Sequence, residues 1–260
     1  SAVFLDDSPF ERARVKEVLP EVLVPELPKD PTDYNTFLSR LRCFDNTYVT
    51  DEDKSRGDLY KSESKRTKLK QQLKSLSDWI QTLDLTIVIE DIKNANTPRA
   101  VQLLNKTNQM NLSTRRLSEQ ELNNWVQVQS NNLWTIRAAD KFGDYGIIGI
   151  LSISVKNNVA TLVDFILSCR VVGRYIEETM IEFLKEFCQE HNVNKINGKY
   201  VKTEKNYLCF NFFNKLNLID NRQDFFEFSS NQKKLNLLNI NVKKPPYKEK
   251  INVSKNFMAK

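Results

Sequence analysis

From Leu83 to about residue 230, two kinds of hydrophobic pattern alternate along the chain. Short apolar runs of strand length occur in this order: "LTIVIEDI", "NLWTIRAA", "GIIGILSISV", "ATLVDFILS", "KINGKY" and "DFFEFSS". Stretches with apolar residues at helical spacing lie between them: "PRAVQLLNKTNQM", "SEQELNNWVQ", "GRYIEETMIEFLKEFCQEH" and "EKNYLCFNFFNKL". Short connections and the handedness of crossovers then predict an α/β fold, a mixed sheet with helices on both faces.

The chain opens on a strand–helix–strand pattern, "VFLDD", "PFERARVKEVLP" and "VLVPELP". Ser8 is suited to cap the helix, with Pro9 in its first position and Glu11 in its first turn. The first strand ends on two acids, Asp6 and Asp7. A single βαβ unit cannot bury both faces of its strands, because parallel sheets need further strands and helices around them. We therefore expect the upstream half of an α/β domain to be missing from this chain.

The segment that follows is charged and helical in pattern, with one apolar stripe formed by Leu69, Leu73, Leu76 and Ile80. Such a pattern is typical of a solvated connecting helix. The chain is thus predicted to contain four parts: an N-terminal βαβ piece (1–30), a helical connector (31–82), the sheet domain (83–230) and a basic tail (231–260).

The net charge of +6 is concentrated in the tail. Residues 231–260 hold eight Lys and one Glu, a net charge of +7, which leaves −1 for the rest of the chain. No basic face interleaved with aromatic residues accompanies the tail, so neither nucleic-acid nor membrane binding is expected. Four widely spaced cysteines, no signal peptide and no apolar run of membrane-spanning length favour a reducing cytoplasm.

The stretch "SCRVVGRYIE" joins a predicted central strand to the start of a long helix. Its turn contains Gly173, so successive backbone amides of the turn and of the helix N-terminus can point outward together. Arg170 and Arg174 add positive charge, and this combination predicts an anion site suited to a pyrophosphate or to the phosphate of phosphopantetheine. In the alternative, the two arginines form surface ion pairs with Glu177 and Glu178.

Cys169 lies at the entry of the same helix, close in sequence to both arginines. Neighbouring guanidinium groups favour a nucleophilic thiolate, whereas most isolated cysteines are small buried apolar residues, and both interpretations of Cys169 stay open. Cys188 and Cys209 are predicted to be buried. His191, the chain's single histidine, follows a helix and is predicted to cap it, which disfavours a Ser/His or Cys/His mechanism.

Further polar residues are candidates for the same cleft. Asn206 is grouped with Arg170, Gly173 and Arg174 as a cofactor-binding candidate. The additional cleft candidates are Lys106, Asn108, Asp144 and Glu177. For the amide-rich segment "NKTNQMNLSTRR", helix capping and surface polarity explain the composition equally well.

The order of strands and helices from Leu83 onwards resembles the fold of GNAT-type acyltransferases. The stretch "RVVGRY" corresponds to that fold's Q/R-x-x-G-x-G/A loop, which binds the pyrophosphate of coenzyme A. Several stretches, in order, also resemble the FkbH-like family: "FLDDSPFER", "LPEVLVPELPKDP", "QLLNKTNQMNLSTRR", "DKFGDYGIIGI" and "SCRVVGRYIE". Members of that family pair a HAD-superfamily phosphatase-like domain with a C-terminal acyltransferase-like domain.

The FkbH-like resemblance implies a role in polyketide-type biosynthesis. It implies dephosphorylation of a small glycerate-derived substrate and transfer of the glyceryl group to an acyl carrier protein, with phosphopantetheine or coenzyme A as cofactor. Asp6 and Asp7 match the HAD motif that holds Mg²⁺. The HAD nucleophile would lie upstream, so this chain resembles the C-terminal part of a longer protein and is not expected to hydrolyse phosphate esters.

Three residues depart from the acyltransferase pattern. Tyr175 stands where the loop pattern has Gly or Ala, and its side chain would crowd the phosphate unless it turns outward. Phe213 replaces a tyrosine that often acts as general acid, and Asn217 replaces a glycine. We therefore expect an acyltransferase-like module that holds a phosphopantetheine arm, with Cys169 as candidate transfer thiol. The alternatives are an N-acetyltransferase that uses acetyl-coenzyme A and a non-catalytic carrier-binding module.

Overall fold

The computed structural model of the protein describes residues 2–44, 56–73, 75–219, 224–235 and 240–245. The chain divides into two compact units, Ser1–Val49 and Thr50–Lys260. Among the described residues, no helix combines the length and the apolar character that crossing a bilayer requires.

In the N-terminal unit, helix α1 (Pro9–Val18) begins where the sequence predicts it. The Ser8 hydroxyl accepts a hydrogen bond from the Glu11 amide at 3.4 Å, and Pro9 occupies the first turn. The two predicted strands meet in a single parallel bridge between Val3 and Leu23. A second helix, α2 (Tyr34–Arg40), follows a turn of 3₁₀-helix at Pro31–Asp33. The parallel direction is thus as expected, although the pairing is much shorter than a strand.

The larger unit is built on a seven-stranded mixed sheet with the order β6-β5-β4-β3-β2-β1-β7. Its strands are β1 (Thr86–Asp91), β2 (Asn131–Asp140), β3 (Gly143–Lys156), β4 (Val159–Leu167), β5 (Lys195–Lys199), β6 (Phe225–Ser229) and β7 (Asn241–Lys243). Neighbours from β1 to β4 are antiparallel, as are β5 and β6, whereas β4–β5 and β1–β7 are parallel. The predicted mixed sheet flanked by helices is therefore confirmed.

Helices cover both faces of the sheet. On one face lie α5 (Thr97–Lys106) and α6 (Glu119–Gln127), whose apolar residues Ala100, Leu104 and Leu122 pack on Ile150 and Ile166. On the other face lie α7 (Ile176–Glu190) and α8 (Tyr207–Lys215), which contribute to the main core. Complete burial of each aliphatic side chain stabilises the fold by roughly 1.5–3 kcal/mol. Helices thus pack on both faces of the sheet at β4, through Ile166 on one side and Phe165 on the other.

Two further helices, α3 (Arg56–Gln72) and α4 (Leu76–Leu83), belong to this unit instead of forming a solvated connector. Trp79, Ile80 and Leu83 form a buried cluster against which Leu69 and Leu73 of the predicted stripe pack, although Leu76 stays exposed. The guanidinium of Arg66 is buried in a bidentate pair with Asp140 of β2. The pair between Arg66 and Asp140 was not predicted, because it joins positions 74 residues apart in sequence.

The segment predicted as a basic tail also contributes to the sheet. Strand β7 pairs in parallel with β1, with Thr86 opposite Asn241 and Val88 opposite Lys243. Val242 packs against the main core, which explains why a lysine-rich segment is ordered there. Residues 246–260 of the predicted tail lie outside the described residues.

Candidate functional site

A short loop connects the end of β4 to α7. The Ser168 amide donates to the Ile148 carbonyl at 2.7 Å, and a turn of 3₁₀-helix follows at Cys169–Val171. Gly173 has a φ of +77°, and a Cβ added there would meet no heavy atom within 4 Å. The first amides of α7 have no partner within their own helix, and the helix dipole makes this end positive. The loop therefore brings the chain sharply into a helix N-terminus while leaving open space at its tip.

Glu177, in the first turn of α7, folds back onto this loop. Its Oε1 accepts a hydrogen bond from the Gly173 amide at 2.7 Å, and the residue is only 3% exposed. The other carboxylate oxygen, Oε2, is buried and has no hydrogen-bond partner among the described residues. Burial raises the pKa of Glu177 to about 7, and the Gly173 hydrogen bond opposes that rise only in part. The sequence made Glu177 a cleft candidate, and the structure places it inside the loop.

The two predicted anion-binding arginines separate. Arg174 is 4% exposed, and its guanidinium donates to the Tyr145 hydroxyl and, at 2.8 Å, to Glu63 of α3. Arg170 is partly exposed on the loop, where its Nε donates to the Ser168 hydroxyl at 3.3 Å. Arg170 therefore remains on the loop, whereas Arg174 joins α3 to the sheet.

Cys169, the predicted transfer thiol, and Tyr175, the residue expected to crowd the loop, have different surroundings. Cys169 is exposed in the 3₁₀ turn, next to Arg170. Tyr175 has a φ of +61° and packs against the cluster that contains Trp79. The Tyr175 side chain is thus partly buried against that cluster, and an orientation that leaves room for a phosphate at the loop stays a prediction.

Phe213, which stands where the acyltransferase pattern often has a tyrosine general acid, is packed in the core. Phe213 of α8 is fully buried and lies 5.2 Å from Phe165 and 5.1 Å from Phe226, measured between ring centroids. Asn217, which stands for a glycine of the pattern, has a φ of +56°, a conformation that asparagine tolerates better than most residues. The left-handed backbone conformation at Asn217 is one that the glycine of the pattern would also allow, whereas the Phe213 ring has no hydroxyl that could donate a proton.

Strands β4 and β5 diverge at the end that faces the loop. Their pairing stops at Leu162 opposite Gly198, whereas β4 continues to Leu167. Residues 110–112 lie in the resulting gap and are completely buried, and Asn111 bridges to Ile166 of β4. The open edge of β4 is therefore covered by the chain itself.

Backbone hydrogen bonds tie this inserted segment to both sides of the gap. The Leu112 amide donates to the Phe165 carbonyl at 3.1 Å, and the Leu167 amide donates to the Met110 carbonyl at 3.0 Å. On the far side, the Val201 amide donates to the Leu112 carbonyl at 2.9 Å. An extended ligand could add to the edge of β4 only by displacing these bonds.

Asn206, predicted to bind a cofactor, instead completes this arrangement. Its side-chain oxygen accepts from the Tyr200 hydroxyl at 2.7 Å and from the Thr203 amide at 2.8 Å. Its side-chain nitrogen donates to the carbonyls of Asn111 at 3.0 Å and Val201 at 2.8 Å. Since these four bonds meet the usual capacity of an amide side chain, Asn206 is a structural link between the two loops.

A buried acid that the sequence analysis missed anchors the next residues. Asp164 of β4 is completely buried and accepts hydrogen bonds from Ser113, Ser152 and Arg115. The Arg115 guanidinium also lies 4.6 Å from the ring centroid of Trp125. An aspartate within the apolar run "ATLVDFILS", together with the arginines of "STRR", was the signal that could have revealed this pair.

The remaining cleft candidates lie elsewhere on the unit. Asn108 lines a separate cleft of about 450 Å³ with Arg116, to which its side-chain oxygen is hydrogen-bonded at 2.7 Å. Lys106 is exposed in the last turn of α5. Asp144 is exposed in the β2–β3 region and pairs with Arg137 at 2.9 Å.

In the N-terminal unit, Asp6 and Asp7 lie just before α1. The Asp6 carboxylate accepts from the Ser8 amide at 2.8 Å, and the Arg12 guanidinium donates to the backbone carbonyls of both acids. Within the described part of the chain, no group of three or more His, Cys, Asp or Glu side chains is placed to hold a metal ion. Two adjacent carboxylates alone do not complete a magnesium site, so Mg²⁺ binding stays a prediction for a longer protein.

The predictions for the other cysteines and the histidine are confirmed. Cys188 and Cys209 are buried, and burial raises the pKa of the Cys188 thiol to about 12. His191 ends α7, where its amide donates to the Phe187 carbonyl at 3.2 Å and its ring stacks on Phe187.

No family model matches this sequence, and no curated protein matches it either. Solved structures are similar over part of the chain. A spermidine N-acetyltransferase from Vibrio cholerae, in complex with CoA and spermine, is 14% identical over 56% of this chain and 96% of its own, with a TM-score of 0.44. The ribosomal-protein-S18-alanine N-acetyltransferase from Escherichia coli is 11% identical over 58% of this chain and 99% of its own, with a TM-score of 0.41. A GNAT-family acetyltransferase from Staphylococcus aureus Mu50 is 11% identical over 56% of this chain and 99% of its own, with a TM-score of 0.41.

Proposed function

We propose that the sheet unit is an acyltransferase-like module that recognises the phosphate of a phosphopantetheine arm at residues 168–176 and thereby docks an acyl carrier protein. The observation that carries this proposal is the exposed loop itself. It presents an open turn at Gly173, the N-terminus of a long helix and the Arg170 guanidinium. Backbone amides, a helix dipole and a guanidinium are the groups that bind phosphate in proteins.

Glu177 limits how an anion can bind there. Its carboxylate already accepts from the Gly173 amide, so a phosphate would contact Arg170 and the other amides at the start of α7. An ionised Glu177 would also repel the phosphate. Because burial raises the pKa of Glu177 to about 7, this group is partly neutral near neutral pH, which weakens the repulsion.

The structure favours docking, with transfer through a thiol, over direct transfer that uses a general acid. The phenol expected near the leaving group is replaced by the buried ring of Phe213. Cys169, in contrast, is exposed on the loop. In the transfer step, the thiolate of the pantetheine arm would attack the carbonyl of an acyl group held as a thioester on Cys169. The new carbon–sulfur bond forms on the arm, the bond to Cys169 breaks, and the Cys169 thiolate takes a proton from water.

The finer assignment rests on the sequence resemblance. The FkbH-like motifs support a glyceryl-type acyl group, a polyketide-type pathway and a preceding HAD-type dephosphorylation by a longer protein, with Asp6 and Asp7 as its Mg²⁺ ligands. The chemistry of that metal would be to stabilise negative charge on the substrate phosphate. Changing Cys169 to Ala in the full-length protein should abolish transfer without affecting folding. Unchanged turnover would exclude Cys169 as the transfer thiol.

A second function, N-acetyl transfer from acetyl-coenzyme A, is favoured by the position of Tyr175. Its side chain packs toward the Trp79 cluster, so it does not crowd a pyrophosphate at the loop. The experiment that separates the two functions is calorimetric titration with coenzyme A, compared between the wild type and Arg170→Gln. Tight coenzyme A binding and turnover with an amine acceptor would establish the acetyltransferase instead.

A further inference from the structure

A second polar cleft lies between the segment after α5 and the connection from β5 to α8. It has a volume of about 450 Å³. Its lining residues are all polar: Asn108, Thr114, Arg116, Thr203, Glu204 and Lys205. They include two cations and one acid. We infer that this cleft binds a small polar anion, a phosphate or a carboxylate carried on a hydroxylated group, and this inference does not depend on the loop at 168–176.

Arg116 is held in place at the wall of the cleft. Its guanidinium donates to the Leu104 carbonyl and, at 2.7 Å, to the side-chain oxygen of Asn108. An arginine side chain has five N–H donors, so these contacts fix its plane while others remain for a ligand. Since the Asn108 oxygen already accepts from Arg116, its side-chain nitrogen is left as a further donor. A fixed guanidinium with a neighbouring amide donor is suited to an oxyanion.

The wall opposite is fixed by a hydroxyl turn. The Thr203 hydroxyl accepts from the Lys205 amide at 3.3 Å and from the Asn206 amide at 3.2 Å. Lys205 itself is exposed, so its ammonium group can approach a ligand without disturbing the core. This wall therefore offers a mobile cation beside a rigid backbone turn.

The two walls are joined beneath the cleft. The Val201 amide donates to the Leu112 carbonyl, and the Asn206 side chain donates to the Asn111 carbonyl. Thr114, at the rim, has a φ of +55°, which is unfavourable for a β-branched residue and is held by a 2.9 Å bond from its amide to the Asn111 side chain. The cleft is thus preformed, as small-molecule sites usually are.

Glu204 narrows the chemistry of the ligand. A carboxylate in the lining opposes a bare anion but accepts hydrogen bonds from hydroxyl groups. Two cations against one acid still favour a negative ligand. The combination therefore fits a hydroxy acid or a polyol phosphate better than inorganic phosphate, because carbon atoms of the lining side chains can contact the ligand's carbon skeleton while the charged groups bind its polar ends.

Isothermal titration of the whole chain tests this inference with three probes: glycerol 3-phosphate, lactate and uncharged glycerol. Binding of either anion, with none by glycerol, is expected, and the two anions distinguish a phosphate from a carboxylate ligand. Lys205→Gln should weaken binding about threefold to tenfold, as expected for loss of one charge-assisted hydrogen bond at a partly exposed site. The matched control is Lys202→Gln, which removes a neighbouring exposed charge outside the lining and should have no effect.

Two more variants keep the test decisive. Arg116→Gln should abolish binding, and if that variant fails to fold, the Lys205 and Lys202 pair decides the question. Arg170→Gln should leave binding unchanged, because Arg170 belongs to the other loop. The inference is overturned if neither anion binds, if glycerol binds as well as the anions, if Lys205→Gln equals its control, or if Arg170→Gln removes the binding. Loss of binding in Arg170→Gln would place the anion at residues 168–176 instead. The other outcomes do not bear on carrier docking, which is measured separately.

Discussion

The ionisation of Glu177 should make the stability of the sheet unit depend on pH in an unusual direction. Burial raises its pKa from the ordinary glutamate value of 4.5 to about 7 in the folded protein. Between these two values the folded state binds more protons at this group than the unfolded state does. Since stability rises with pH only where the unfolded state binds more protons, this group lowers the free energy of unfolding as the pH rises.

The magnitude follows from the two pKa values. From about pH 5 to about pH 8, the Glu177 contribution to the free energy of unfolding should fall by about 2–3 kcal/mol. Glu177→Gln keeps an oxygen that can accept from the Gly173 amide but carries no ionisable group. The stability of this variant relative to wild type should therefore increase by about the same amount over that range.

The assay is urea denaturation of both proteins at several pH values, followed by fluorescence of the tryptophans. Glu190→Gln, an exposed change near the end of the same helix, serves as the control for charge alone. Its curve should run parallel to the wild-type curve. If the Glu177→Gln curve is also parallel to wild type, the carboxylate is not buried as described, and the argument about reduced repulsion at the loop fails with it.

Two other changes test the packing that holds the loop. Asp140→Asn should destabilise the unit by about 3 kcal/mol, because it removes the buried charge partner of the Arg66 guanidinium and leaves only the half-exposed Glu63 at 3.5 Å. Asp144→Asn at an exposed pair should cost at most about 1 kcal/mol. Equal melting temperatures for these two variants would contradict the buried pair. Gly198→Ala should cost about 1–3 kcal/mol, because its Cβ would lie 2.4 Å from the Phe226 ring, and a neutral effect in denaturation would show that the close contact is absent.

The strands and helices of the sheet unit could be predicted because their hydrophobic patterns are local. The apolar run that forms β4, the turn at Gly173 and the long helix after it can each be recognised within about twenty residues of sequence. The same holds for the burial of Cys188 and for the helix end at His191. Local patterns of this kind placed the candidate loop correctly between a central strand and a helix.

The contacts of individual site residues could not be predicted, because they depend on partners far away in sequence. Arg174 turns toward Glu63, more than a hundred residues upstream, and Asn206 binds the backbone of Asn111. The sequence gives no local signal that Arg174 would leave the loop while Arg170 stays. The same reason applies to the segment that fills the gap between β4 and β5, which only the folded sheet reveals.

The most direct test of the proposed function is calorimetric titration of this chain with one acyl carrier protein in two forms, with and without its phosphopantetheine arm. Coenzyme A is titrated in parallel, and each titration is repeated with Arg170→Gln and with the control Arg137→Gln. We predict that the carrier with its arm binds more tightly than the carrier without it, and that Arg170→Gln alone removes this difference. Equal binding of the two carrier forms by the wild type would contradict recognition of the arm's phosphate at residues 168–176.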